Sequence, residues 1–432
     1  MLIKRLLLIL WAVVPLLSGA ATFDDFAANP CKSGGCLYAY PYPAQPLPAL
    51  TAAPEGYEPF YIDHYGRHGS RWLIEPGDYV KPVRFLERLD SANLLTPLGK
   101  RTLDDLKAWQ LQSDTRRGEL TDVGAEQHQG IARRMLQNFP QVFRGRDKVV
   151  RARSSVVIRC ILSMLNETSV LQASNPALRI FTDASHADMK VIANGSAQEK
   201  LGKLKAEARK QVPPGLYPVD WRKFSRQLMF DNDVLTDSEK SYLMHLLRQV
   251  AVSLQNHKTD YSLFQLFTTE DLFRMWANDN IQQYIAFGNS PHTRNMVPYQ
   301  EAHLLREMIA TADDVIANGG RAADLRFGHD VVLISLATLM ELDNFNVSVD
   351  DFAQVAEAWR NYEIFPMACN IQMVFYRPVA GGQDDILVKV LINEHEAQLP
   401  VGHDSAPYCR WADLKRYYEE KLSRMDNEYE KL

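Results

Sequence analysis

Tyr61-Ile-Asp-His-Tyr-Gly66-Arg67-His68-Gly69-Ser-Arg71-Trp72 is the stretch from which the fold of this 432-residue chain can be read. Phe60, Tyr61 and Ile62 make an aromatic, β-branched run that suits a buried strand, and Gly66 and Gly69 end it. Beyond the strand stand Arg67, His68 and Arg71, two permanent cations around one imidazole. Gly69 has no side chain, so a ligand could approach the backbone beside His68. Open α/β sheets bind ligands at the carboxyl ends of their strands, and guanidinium groups match the planar, bidentate geometry of phosphate oxygens. The stretch predicts a buried strand that delivers a histidine and two arginines to an anionic ligand.

The bulk of the chain is compatible with that reading. Hydrophobic residues make up 46% and charged residues 23%, the balance of a globular protein. A formal charge of −5 lacks the basic footprint of a nucleic-acid binder, so no nucleic-acid partner is expected. At the N-terminus Lys4 and Arg5 precede the apolar run Leu6 to Leu17, and Ser18-Gly19-Ala20 offers small residues for cleavage. That is the pattern of a secretory signal over 1–20, too short for a comfortable membrane span. The expectation is a periplasmic or extracellular protein with no membrane attachment after cleavage. Export permits disulfides. Cys31 and Cys36 enclose Lys-Ser-Gly-Gly, a loop small enough to close locally, and Cys369 with Cys409 is the candidate second pair. Cys160 lies in an apolar helical pattern and reads as a buried thiol. The cysteine spacing carries no zinc signal, so neither a metal nor a cofactor is expected.

Working outward, Thr22 to Pro59 is rich in Pro, Ala and Tyr and reads as an extended arm. Asp78 to Leu89 and Gly99 to Gln112 have helical apolar spacing. Thr121 is the natural N-cap of a helix that carries Ile131, Met135 and Leu136 and ends near Pro140. Lys148 to Ala152 and Leu178 to Phe181 read as strands around an apolar helix, Ser154 to Leu171. From about Met189 to Gly320 helical spacing dominates, notably in Ser238 to Leu254, Thr269 to Phe287 and Tyr299 to Ala317. Ala323 to Phe327 restores the strand pattern, and Gly328-His329-Asp330 leads into an apolar helix. Ile371 to Tyr376 and Ile386 to Ile392 flank Gly381-Gly382 as a hairpin, and Ala412 to Met425 forms a terminal amphipathic helix. Alternating strands and helices predict a mixed, mostly parallel sheet covered on both faces.

The Arg67-His68-Gly69-x-Arg71 stretch resembles the signature of the histidine acid phosphatases. Two further segments match the family in the right order. Arg153-Ser154-Ser155 with Arg159 resembles its Arg-Ser-(Ser/Thr) step, in which a later arginine binds phosphate. His329-Asp330 resembles its His-Asp pair. The Leu120-Thr121-x-x-Gly124 helix start is also similar, as a structural element, which leaves His128 as a packing or surface residue. The resemblance implies His68 as the nucleophile and Asp330 as the proton donor. It further implies a phosphoryl site of Arg67, Arg71, Arg159 and His329, on a phosphoglycerate-mutase-like α/β fold with an inserted helical cap. A second pair, His403-Asp404, is followed by Ser-Ala-Pro rather than by a helix and ranks as a loop pair. Two positions depart from the family pattern. Trp72 stands where a proline is common, and His329-Asp330 replaces the His-Ala-Glu of the inositol-polyphosphate branch that Tyr65-Gly66-Arg67 otherwise resembles.

The chain is thus divided into a signal (1–20), an arm (21–58), a first α/β part (59–188), a helical cap (189–320) and a second α/β part (321–432). The expected activity is hydrolysis of a small phosphorylated substrate through a phosphohistidine. An inositol polyphosphate such as phytate is the leading candidate. The stretch from Ala187 to Lys223, locally basic and including Lys200, Lys203 and Lys205, is expected to lean over the site. The alternatives are a broad acid phosphatase, a phosphotransferase and a catalytically silent phosphoryl-binding protein; intact His68 and Asp330 count against the last.

Overall fold

A computed structural model describes residues 21–42, 47–193, 198–381, 385–402 and 406–432. The predicted signal and His403-Asp404 lie outside these residues. The first strand, β1 (Tyr57–Arg67), runs one residue past Gly66 and is buried along nearly its whole length. It is followed by β2 (Val149–Ser154), β3 (Arg179–Asp183), β4 (Ala323–Gly328), β5 (Asn370–Pro378), β6 (Leu387–Ile392), β7 (His395–Glu396) and β8 (Cys409–Arg410). The sheet order is β3-β2-β4-β1-β5-β6-β7, with β8 also on β6. Strands β3, β2, β4 and β1 are parallel, and β5 onward are antiparallel. Because β4 inserts between β1 and β2, the carboxyl ends of all three open at one crevice.

Alternation along β1 divides the core. Tyr61 and Tyr65 pack with the apolar residues of Ala302–Asn318, Asp330–Leu339 and Trp411–Glu430 on one face. Ile62 packs on the other face with those of Asp122–Asn138 and Ile158–Ser174. Period-two alternation between two covered faces produces this arrangement. In chain order we call the principal helices α1 (Ala21–Ala28), α2 (Pro76–Ser91), α3 (Pro97–Ser113), α4 (Asp122–Asn138), α5 (Ile158–Ser174), α6 (Gln198–Lys210), α7 (Asp237–Ser253), α8 (Thr269–Phe287), α9 (Ala302–Asn318), α10 (Asp330–Leu339) and α11 (Trp411–Glu430). No described helix is long and apolar enough to cross a membrane.

Two expectations meet a different structure, those for the arm and for the disulfides. Among the described residues no strand lies between β3 and β4. Helices α2 and α3 share one core with α7 and the start of α8, whereas α9 packs beneath the sheet. The arm begins with α1 and a 3-10 turn, Pro30–Leu37, rather than an extended chain. Phe26 finds Trp276 and Tyr362 at ring-centroid distances of 5.0 and 5.7 Å, and Asn29 caps the turn by accepting from the Cys31 N–H. No cysteine is in a disulfide. Cys369 precedes β5 at the Arg67 end of the sheet, while Cys409 lies level with Val388 and Phe375. Six strand residues separate those levels, about 20 Å at the usual rise, beyond the reach of a disulfide. Cys160 is a buried thiol that donates to Gly328 O.

Candidate active site

Strand β1 ends in a turn whose backbone is held from every side. Arg67 N donates to Cys369 O, His68 N to Gly328 O, and Ala368 N to His68 O. Gly69 N donates to Ser163 Oγ and Ser70 N to Gln127 Oε1. Ser70 O accepts from Thr121 N and Oγ1, and Ser70 Oγ donates to Asn256 Oδ1. Thr121 caps α4 through Gly124 N, and this first turn docks directly on the β1 turn. A Cβ on Gly69 would stand 2.5 Å from Gly124 O. The expected purpose of Gly69 is therefore corrected: it admits helix α4, not a ligand.

His68 is 2% exposed. Its Nδ1 lies 2.9 Å from Gly69 O. A carbonyl can only accept, so Nδ1 carries the hydrogen and Nε2 is left as the lone-pair nitrogen. Burial, then Arg67, Arg159 and Arg71, hold the imidazole well below its usual pKa, so it is neutral. The ring of His329 stands 5.9 Å away, centroid to centroid, near perpendicular.

Around this imidazole the predicted residues come together. Arg67 is fully buried; Nη1 donates to Phe365 O and Nη2 to Asp330 Oδ2, both at 2.9 Å. Arg71 donates to Trp72 O at 3.0 Å, and burial, then Arg67, push its pKa down to about 10. Arg159 lies in the first turn of α5, which starts four residues later than its apolar pattern suggests, because β2 runs through Ser154 and residues Ser155 to Val157 form the turn. The one hydrogen bond its guanidinium makes among the described residues, to Gly118 O, is long at 3.5 Å. The Nε atoms of all three arginines are buried without a partner among the described residues. Among the described residues only Asp330 brings a carboxylate to these three cations, through Arg67, a surplus that suits an anion with two negative charges.

His329 and Asp330 follow β4 and open α10, where residues Val332 to Leu339 are all buried. An apolar helix of this kind anchors firmly, and its N-terminus adds partial positive charge to the crevice. His329 Nε2 lies 3.2 Å from Ser155 Oγ. Burial, then Arg159, lower its pKa to about 4, Asp330 opposing them. Asp330 Oδ1 accepts from Val331 N at 2.9 Å. Burial opposes its ionisation, but Arg67 and Arg71, helped by Val331 N–H and His329, hold the carboxyl below the usual range.

Arg153, adjacent in the motif, is spent elsewhere. It pairs with Asp188 at 2.9 Å and Glu307 at 2.5 Å. The same network joins Glu307 and buried Asp63 to Arg326, and Asp324 to Arg151 and Arg321. Five cations of the basic stretch have partners of their own. Lys203 pairs with Glu199, Lys210 with Glu207 and Arg222 with Asp237. Lys200 donates to the last carbonyls of α11. Lys205 donates to Gln300, and burial, then Arg209, lower its pKa to about 8.

Sequence reasoning missed Ser155, Phe365 O, Gln127 and Cys36. The Cys36 thiol is raised by burial first, then by Asp330, with Arg67 and Arg71 opposing. Cys36 also lines a groove of about 280 Å³ with His245, Gln249, Gln282 and Gln283.

No protein-family model matches the chain, and no curated protein matches its sequence. Solved structures do match its fold. The Bifidobacterium longum multiple inositol polyphosphate phosphatase in complex with inositol hexasulfate gives a TM-score of 0.71 at 16% identity, over 89% of this chain and 97% of that one. Its phosphate complex gives 0.67 at 17%, over 86% and 94%. The phytase from D. castellii gives 0.67 at 15%, over 91% and 85%. At these identities the likeness establishes the fold.

Proposed function

We propose that this chain is an exported histidine acid phosphatase that hydrolyses phosphomonoesters, inositol polyphosphates such as phytate among them. The observation that carries the reading is the His68 imidazole, neutral with Nε2 as its lone-pair nitrogen, among Arg67, Arg71 and Arg159 and opposite Asp330. Solved proteins of the same fold, named as inositol polyphosphate phosphatase and phytase, support the substrate class.

His68 Nε2 attacks phosphorus, the N–P bond forms, and the P–O bond to the alcohol breaks. The leaving oxygen takes the proton of Asp330. Water then gives a proton back to the Asp330 carboxylate as it attacks phosphorus, and the N–P bond breaks to release inorganic phosphate. The arginines and His329 bind the equatorial oxygens, where charge stabilisation carries most of phosphoryl-transfer catalysis. A bound dianion offsets Arg67 and Arg71 and so raises the Asp330 pKa from its lowered value toward a working acid.

The test is rapid quench with labelled phytate and with an aryl phosphate. Acid-labile label is expected on His68, and His68→Ala should lose at least about a thousandfold in kcat. A His68→Ala protein that still turns over at the wild-type rate overturns the mechanism. Turnover of aryl phosphate alone removes the inositol phosphate and leaves a general phosphatase.

A further inference from the structure

We infer that His128 and Glu167 form a buried lock that fixes the Arg67–His68 peptide, making His128 a positioning residue for the nucleophile. This rests on the role given to His68 above.

Both side chains are fully buried, one on α4 and one on α5. His128 Nε2 lies 3.1 Å from Arg67 O, and His128 Nδ1 lies 3.0 Å from Glu167 Oε2. The Arg67 carbonyl can only accept, so Nε2 must carry a hydrogen. Nδ1 and the Glu167 carboxyl then hold one proton between them, since two facing lone pairs at that distance would repel. Glu167 thereby dictates which hydrogen bond His128 makes on its other side.

The peptide it holds is the one that matters. Its carbonyl is gripped by α4 through His128, and its N–H donates to Gly328 O, one residue before His329-Asp330. Nucleophile and acid are therefore referenced to a common backbone plane. Helix α4 grips the next turn residue through Gln127 and Thr121, and α5 grips Gly69 through Ser163. His128 differs from those partners because its donor is conditional on a second side chain. Losing it frees the carbonyl beside His68 to rotate, and displacements near 1 Å at a reacting atom cost on the order of a hundredfold in rate.

The conservative variant separates a geometric role from a charge role. In Glu167→Gln the amide N–H can donate to Nδ1, which keeps Nε2–H on Arg67 O while removing the carboxyl. It should hold kcat within about threefold. Glu167→Leu releases the tautomer, and the double change His128→Met with Glu167→Leu leaves an apolar pair with no unpaired carboxylate. Both should lower kcat roughly 10- to 100-fold, with KM for an aryl phosphate little changed and melting temperature near wild type. In 15N-histidine-labelled protein, His128 should show its hydrogen on Nε2, in wild type and in His68→Ala alike. That last arm needs no turnover, so an inactive wild type would sink the phosphatase reading without touching the lock. A folded double variant with wild-type kcat, a Glu167→Gln protein as impaired as Glu167→Leu, or a bare Nε2 on His128 each overturns the proposal.

Discussion

Arg153 and Arg159 belong to one strand–turn–helix step, but the fold places them in opposite electrostatic circumstances. Arg153 joins a network in which Arg151, Arg321 and Arg326 meet Asp63, Asp188, Glu307 and Asp324, so cation and anion are matched. Arg159 joins Arg67 and Arg71 at the strand ends, where Asp330 is the one carboxylate in contact among the described residues. Matched buried charges serve the fold and leave nothing over for a ligand. Unmatched ones cost stability until an anion arrives. The difference identifies a site more sharply than the presence of arginine does.

That contrast breaks most visibly in paired substitutions. Arg326→Ala should destabilise by about 3–5 kcal/mol, because it leaves the buried Asp63 without its ion-pair partner, while Glu307 keeps Arg153. Its catalytic effect per folded molecule should be small. Arg159→Ala should leave the melting temperature unchanged or higher, yet cut kcat/KM about a hundredfold. Urea melts and steady-state kinetics on both variants decide it. Equal losses of stability in the two would show that the crevice is as balanced as the network.

Asp330 sharpens the comparison from the anionic side. Asp330→Asn should depress turnover of alkyl phosphates about 100-fold and of aryl phosphates far less, because good leaving groups need little protonation. The pH dependence follows from the direction of its shift. The acid works protonated, so activity falls as pH rises through its pKa. In the free protein that pKa is held low by Arg67 and Arg71; in the complex a dianion raises it. The alkaline limb of kcat should therefore lie at higher pH than that of kcat/KM, and both should vanish in the asparagine variant. Coincident limbs would mean that the bound phosphate does not reach Asp330.

Much of this is legible in the sequence. The alternation around Tyr61, the Thr121 cap and the apolar run after Asp330 are local patterns, and each element formed within a few residues of its expected bounds. The site residues named from the three motifs, Arg153 apart, share one crevice because short motifs at strand ends need only parallel strands to converge. What could not be read was long-range accounting. Nothing local shows that Arg153 will meet Glu307 from α9, that Phe365 will lend its carbonyl to Arg67, or that Gly69 faces Gly124. The disulfide expectation failed for the same reason, since sequence spacing carries no register between β5 and β8.

The smallest expected effect concerns α6, the part of the basic stretch once expected to lean toward substrate. A surplus counted along the sequence steers a ligand only where the charges remain unpaired and face it. Here Lys203 is exposed but one helical turn from Glu199, a pairing worth a few tenths of a kcal/mol. Lys205 is half-buried on Gln300, in the neighbourhood of Glu301, whose carboxyl burial pushes up to about 8. Neither presents a free cation to the crevice. Replacing both with glutamine should change kcat/KM for phytate by less than about twofold and leave its salt dependence intact, because screening beyond about 10 Å at 0.1 M acts on charges still open to solvent. The salt slope should instead fall in Arg159→Ala. If the lysine pair carries the slope and the arginine does not, long-range attraction comes from α6 after all, and the surplus at the strand ends serves chemistry alone.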